Sequence, residues 1–195
     1  MDEVLGSPLG TMASPLEDEA FPSGPVSGTL EGAMVLDTVS AEARQGFERV
    51  IFTFQRLGSS FGAWSDLPAT YAVSTDSPPF AFRASGEPLP VEGRAFLRVN
   101  FLDVYGPPFP DPPPSDLADA DLPVRPGTFP RRGPAELRPG LEVVAQICRS
   151  DDFEGYLEWI IGLTRGARWR VSRLDTPARL LIDVENKIRL APPGA

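Results

Sequence analysis

Gly58-Ser59-Ser60-Phe61-Gly62 has the G-x-S-x-G spacing of a nucleophile elbow, which presents a serine to a histidine base on a strand-to-helix turn. The chain has no histidine, and no helical periodicity follows Gly62, so the segment reads as a flexible turn. The missing imidazole also excludes Ser-His-Asp and Cys-His activation. It removes the commonest metal ligand as well, and one cysteine, Cys148, cannot build a thiolate zinc site or an intrachain disulfide. Cys148 lies in an apolar strand pattern and reads as a small core residue. No cofactor and no metal site is expected.

Carboxylates are the remaining candidates. Asp151, Asp152 and Glu154 lie close in sequence, with Asp175 and Asp183 further along. Two acids facing one groove could hydrolyse a glycosidic bond, their separation setting the stereochemistry. Acids with loop carbonyls could bind Ca²⁺, but the spacing is not that of an EF-hand. The favoured reading is structural: Asp152 and Glu154 shape the turn before Gly155. Arg49 and Asp183 sit in otherwise apolar strands, where a buried charge must be paired. A cross-strand ion pair is favoured there over a ligand-facing pair.

Aromatic and basic side chains supply the binding candidates: Trp64, Tyr71, Arg168 and Arg170. Trp64 falls in a polar loop, and its ring could stack on a sugar face. Trp159 alternates with Leu157 and Ile161 and reads as core. Arg168 and Arg170 flank Trp169, so alternation turns the arginines outward and the ring inward.

Side chains such as these need a scaffold, and the last third of the chain declares it. Between Leu141 and Glu185 four short apolar runs are broken by Asp-Phe-Glu-Gly, Arg-Gly-Ala and Asp-Thr-Pro, the pattern of a β-meander. Strands are expected at 141–149, 156–163, 168–173 and 179–184. Within the first of these, Leu141, Val143, Ala145 and Ile147 share a face. Upstream, strands are expected at 34–39, 47–55, 69–75 and 93–102, with room for a helical turn at 40–45. Eleven of the 23 prolines fall between Pro107 and Pro139. Proline cannot sit in a central strand, so residues 103–139 read as a long Pro-rich loop, a tolerated insertion rather than a recognition segment. The expected fold is an all-β sandwich of about eight short strands in two sheets.

Residues 1–32 hold six acids and no base, which leaves 21 acids against 18 bases elsewhere and a net charge of −9 overall. The stretch is rich in Gly, Pro and Ser and lacks periodicity, so it reads as a disordered arm, with order expected to begin near Ala33. It shows neither the basic nor the apolar region of a secretory signal. The domain is expected over 33–187, followed by a tail at 188–195. A nearly balanced body offers no basic track for nucleic acid, and no apolar run approaches the roughly 18 residues of a membrane span.

Several segments, in order, resemble the AMIN-like domain of actinobacterial envelope proteins. They are Gly46-Phe47-Glu48-Arg49-Val50-Ile51-Phe52, Tyr71-Ala72-Val73, Val91 to Leu97, Asp152-Phe153-Glu154-Gly155, Trp159-Ile160-Ile161-Gly162-Leu163, and Pro177 to Val184. That resemblance implies a non-catalytic β-sandwich, usually secreted or lipid-anchored, related to AMIN domains that bind peptidoglycan. The implied partner is cell-wall glycan or an envelope protein, and a cytoplasmic setting is the alternative. The rival readings are a carboxylate glycosidase and a protein-binding domain acting through the Pro-rich loop.

Overall fold

The structure is a computed structural model that describes residues 21, 24–32, 34–56, 68–83, 85–105 and 136–187. These residues hold eleven strands and no helix. In chain order they are β1 Val26–Thr29, β2 Met34–Arg44, β3 Phe47–Arg56, β4 Thr70–Asp76, β5 Ala95–Leu102 and β6 Val104–Tyr105. Then follow β7 Glu136–Leu137, β8 Val144–Phe153, β9 Tyr156–Leu163, β10 Trp169–Asp175 and β11 Ala178–Glu185. One sheet runs β1-β4-β5-β9-β8-β7 and the second β10-β11-β3-β2-β6. Every pairing is antiparallel except β2 with β6. The all-β fold is therefore as expected.

Alternation builds the layers. Val50, Phe52 and Phe54 of β3 and Leu180, Ile182 and Val184 of β11 point inward from the second sheet. They meet Leu97, Val99 and Phe101 of β5 and Leu157, Trp159 and Ile161 of β9 in one buried cluster. Phe52 packs edge-on against Phe101 at 5.3 Å and against Trp159 at 5.8 Å between ring centroids, the geometry favoured by ring quadrupoles. Trp159 is thus core, as its alternation implied.

Several expectations are corrected. Order begins before Ala33: Val26–Thr29 pair with β4 and Leu30 is buried, because Val26 and Leu30 supply apolar area to the core edge. The rest of the expected arm, apart from Phe21, Gly24 and Pro25, lies outside the described residues. Residues 40–44 continue β2 and leave only the Gln45-Gly46 turn, since β3 offers a full ladder down to Arg44↔Phe47. The expected loop 103–139 begins and ends in short strands, β6 and β7; its residues 106–135 and the tail from 188 lie outside the described residues.

In β8 strict alternation fails. Register shifts between Val144 and Gln146 and between Arg149 and Asp151 mark β-bulges. Val143, Val144 and Ile147 therefore enter the core, while Ala145 does not. The strand pairs only from Val144, because the N–H groups of residues 142–144 are already taken by the Glu48 carboxylate.

Candidate functional site

The solvent face of the first sheet can be read row by row from its registers. Phe153 of β8, Tyr156 of β9 and Leu102 of β5 stand directly opposite one another. Phe153 is 63% and Leu102 51% exposed, the two large apolar side chains left most open among the described residues. The next row holds Asn100, Glu158 and Asp151. Beyond it, Phe96, Ile160 and Cys148 are buried beneath Phe80 and Leu89 of the 77–94 connection. The connection thus covers one end of the face and leaves the other open.

A polar network fixes the boundary between the two ends. Arg98 donates to Asp76 at 2.5 Å and bridges to Glu158 at 2.6 Å. Ser150, the extra residue of a β8 bulge, donates to Glu158 at 2.6 Å. The Tyr156 hydroxyl donates to Glu158 at 2.8 Å and lies 3.0 Å from the Asn100 amide oxygen. Burial alone would raise the Glu158 carboxyl, but hydrogen bonds from Ser150, Tyr156 and Arg98, with the Arg98 charge, hold it below its ordinary value. Burial, followed by the bond to Glu158 and its charge, pushes the Tyr156 phenol up to about 12. At neutral pH the pair is a carboxylate and a neutral phenol, a positioned hydrogen-bonding unit and not a proton donor poised for catalysis.

Above the network, the Arg83 guanidinium stacks on Tyr156 at 4.7 Å and lies 3.8 Å from Asp151. Arg83, Asp151, Phe153, Glu154 and Tyr156 line an open depression of about 540 Å³. Phe153 reaches it because β8 and β9 are joined by a two-residue turn. Glu154 and Gly155 both have positive φ, 49° and 80°, as a primed hairpin turn requires. Asp152 pairs with Arg149 at 2.7 Å and its N–H donates to Asp151 at 2.9 Å. Glu154 is thus a turn residue, while the Asp152 carboxylate is held by Arg149.

The carboxylates singled out for hydrolysis do not converge. Asp152 and Glu154 flank the β8–β9 turn of the first sheet. Asp175 ends β10, the edge of the second sheet, where it pairs with Arg173. That edge abuts β1 through the Arg173 donation to the Thr29 carbonyl at 2.6 Å, and three strand spacings separate β1 from β9. Among the described residues no group of three or more acids or cysteines is placed to hold a metal ion.

The remaining expected residues fall elsewhere. Trp64 and the Gly58–Gly62 segment lie outside the described residues. Tyr71 faces inward, packs against the core and lies over Gly28 of β1; its opposite number is Phe101, which fixes that side. Arg168 pairs with Glu185 at 2.7 Å. Arg170 does turn away from Trp169 but is 4% exposed, against the expected open position, because it pairs with Asp183 at 3.0 Å. Asp183 is also clasped by Arg49 at 2.6 and 3.0 Å, so the proposed Arg49–Asp183 ion pair is present and gains Arg170. Cys148 is buried, and desolvation pushes its thiol up to about 12, which makes it a core residue and not a nucleophile.

A family profile described as AMIN-like domain matches residues 34–186. The chain belongs to the AMIN-like domain family. That membership supports a non-catalytic, envelope-associated binding module. No curated protein and no solved structure matches the chain. Within the matched range Glu154 and Gly155 form the β8–β9 turn, Trp159 fills the core, and Gly162 admits a crossing backbone. Among the described residues no helix is long and apolar enough to cross a membrane.

Phe153, Leu102, Arg83 and Tyr156 are the site residues that sequence reasoning missed; Asp151 is among its carboxylate candidates. The signal existed for two of them. In β5 the inward Leu97, Val99 and Phe101 leave Arg98, Asn100 and Leu102 on the other face by alternation, and in β9 the inward Leu157 and Trp159 leave Tyr156 and Glu158 outside.

Proposed function

We propose that this domain binds cell-wall glycan on the open end of the first sheet's outer face. The supporting observation is the exposed Phe153–Tyr156–Leu102 row set beside Arg83, Asp151 and Glu154. Sugar rings present apolar C–H faces that pack on flat aromatic and aliphatic surface, while hydroxyls and charged substituents need donors and acceptors at the rim. Phe153 and Leu102 provide the former. Arg83 of the 77–94 connection, Asp151 of β8 and Glu154 of the β8–β9 turn provide the latter.

The test is co-sedimentation of the full chain with insoluble peptidoglycan. Phe153→Ala removes the most exposed ring, whose burial is worth about 1.5–2 kcal/mol, or roughly ten- to thirtyfold in affinity. Trp64→Ala tests the other aromatic candidate. Full retention of the Phe153→Ala and Leu102→Ala variants on the pellet removes this face from the reading, and failure of the unaltered protein to sediment removes the glycan.

A further inference from the structure

The solvent face of the second sheet is occupied by the chain itself. Registers place Arg170, Asp183, Arg49 and Glu42 directly opposite one another across β10, β11, β3 and β2. In the neighbouring row Glu185 stands opposite Phe47, and Phe47 opposite Arg44, while Arg168 grips Glu185 from just before β10. Asp183 holds the Arg49 and Arg170 guanidinia in place, and both lie over the Phe47 ring, at 5.1 and 5.4 Å. Onto this pair of rows comes Phe21. Its ring lies 6.3 Å from that of Phe47, with Arg170 over it at 4.8 Å and Arg168 at 5.9 Å. Arg170 thus contacts two aromatic rings, one from the sheet and one from a residue five positions before β1.

The occupant arrives from the opposite sheet. β1 is the edge of the first sheet, and Phe21 lies five positions before Val26, a reach of roughly 17 Å when extended. The contact therefore spans the edge where β10 meets β1.

We propose that this cradle is a peptide-docking surface for an aromatic side chain flanked by acidic residues, and that the segment around Phe21 fills it in cis. The chemistry is complementary. Cation–π contacts to partly desolvated arginines favour an aromatic ring. The face carries Arg44, Arg49, Arg168 and Arg170 against Glu42, Asp183 and Glu185, with Lys187 adjoining at Gly46, a basic excess. In the sequence, Glu17, Asp18 and Glu19 precede Phe21, and residues 1–32 contain no base. A short tether gives the cis segment an effective concentration in the millimolar range. A free peptide of the same sequence must displace it, which lowers its apparent affinity about tenfold if the intrinsic Kd is near 100 μM.

The test uses the full chain, unaltered and as Phe21→Ala, with a fluorescent synthetic peptide of residues 14–24. Phe21 is half-buried and outside the sandwich core, so the variant should fold and melt only a few degrees below the unaltered chain, as loss of a tenfold cis equilibrium requires. Fluorescence anisotropy should show the peptide binding Phe21→Ala more than threefold, and on the order of tenfold, tighter than it binds the unaltered chain. The same peptide with alanine for phenylalanine should bind at least tenfold more weakly, and Arg168→Gln in the Phe21→Ala background should weaken capture. A difference under threefold between the two proteins, or no binding to Phe21→Ala, overturns the proposal. Equal binding of the alanine peptide overturns it too, by reducing the face to a general anion patch.

Discussion

Gly162 of β9 lies against the carbonyl oxygen of Glu92: a Cβ at 162 would meet that oxygen at 1.9 Å. The backbone before β5 crosses the outer face of the first sheet here, and the Glu92 N–H donates to buried Gln146 at 2.5 Å. A side chain at this position must displace backbone, which cannot rotate aside.

Gly162→Ala is therefore expected to destabilise the fold by about 3 kcal/mol, the upper range for overpacking. Gly166, with nothing within 4 Å of its would-be Cβ, is the control: Gly166→Ala should stay within about 0.5 kcal/mol. Urea midpoints of the two variants check the contrast.

Glu154 holds φ at 49° in the β8–β9 turn. A left-handed conformation costs a side chain of this kind roughly 1 kcal/mol, and asparagine tolerates it better. Glu154→Asn should raise stability by about 0.5–1 kcal/mol, while Glu154→Val should lower it. Thermal melts of the three proteins decide, and equal melting temperatures would sink the argument.

Much of this could be seen in advance, and the reasons for the rest are specific. Strands β3, β5, β9 and β11 bury one face and solvate part of the other, so period two survives in the residues themselves. β1 was hidden because Val26 and Thr29 are isolated among Gly, Pro and Ser, and only pairing with β4 recruits them. The bulges of β8 break alternation without any residue type that marks them. Arg170 looked exposed because alternation gives a side and not a depth: the depth comes from Asp183 and Phe47, which are remote in sequence. The Asp-Phe-Glu-Gly break marks a turn, but the turn itself is Glu154-Gly155, and the residue before it, Phe153, ends β8. Its exposure follows from the row it shares with Tyr156 and Leu102, a property of register. Phe21 lay in a stretch with no periodicity at all.

Glu48 is a buried carboxylate at the inward end of β3, and its oxygens accept the N–H groups of Glu142, Val143 and Val144 at 2.9, 3.0 and 2.7 Å. It does for the start of β8 what a neighbouring strand would otherwise do. Glu48→Ala leaves buried donors unsatisfied and should cost about 3 kcal/mol. Hydrogen exchange at Val143 and Val144 should accelerate in that variant beyond what global destabilisation explains. Unchanged protection at these two amides would contradict the assignment.

Glu158 supplies the pH prediction. Its carboxyl is held below the ordinary value in the folded state, so the folded protein binds its proton less readily than the unfolded chain. Stability from Glu158 is then fully present above the unfolded value of about 4.5 and is lost as pH falls through the lower folded value. Glu158→Gln removes this titration and leaves Arg98 with Asp76 alone. The variant should melt lower than the unaltered protein at pH 7, and the gap should narrow steadily from about pH 4.5 downward. Both proteins carry the other acids unchanged, so the difference between the two curves isolates Glu158. High salt should shrink the gap only modestly, since screening acts weakly on a partly buried pair. A gap that stays constant from pH 7 to pH 3 would show that the hydrogen bonds from Ser150 and Tyr156 serve either protonation state equally, and that charge plays no part in fixing this end of the sheet.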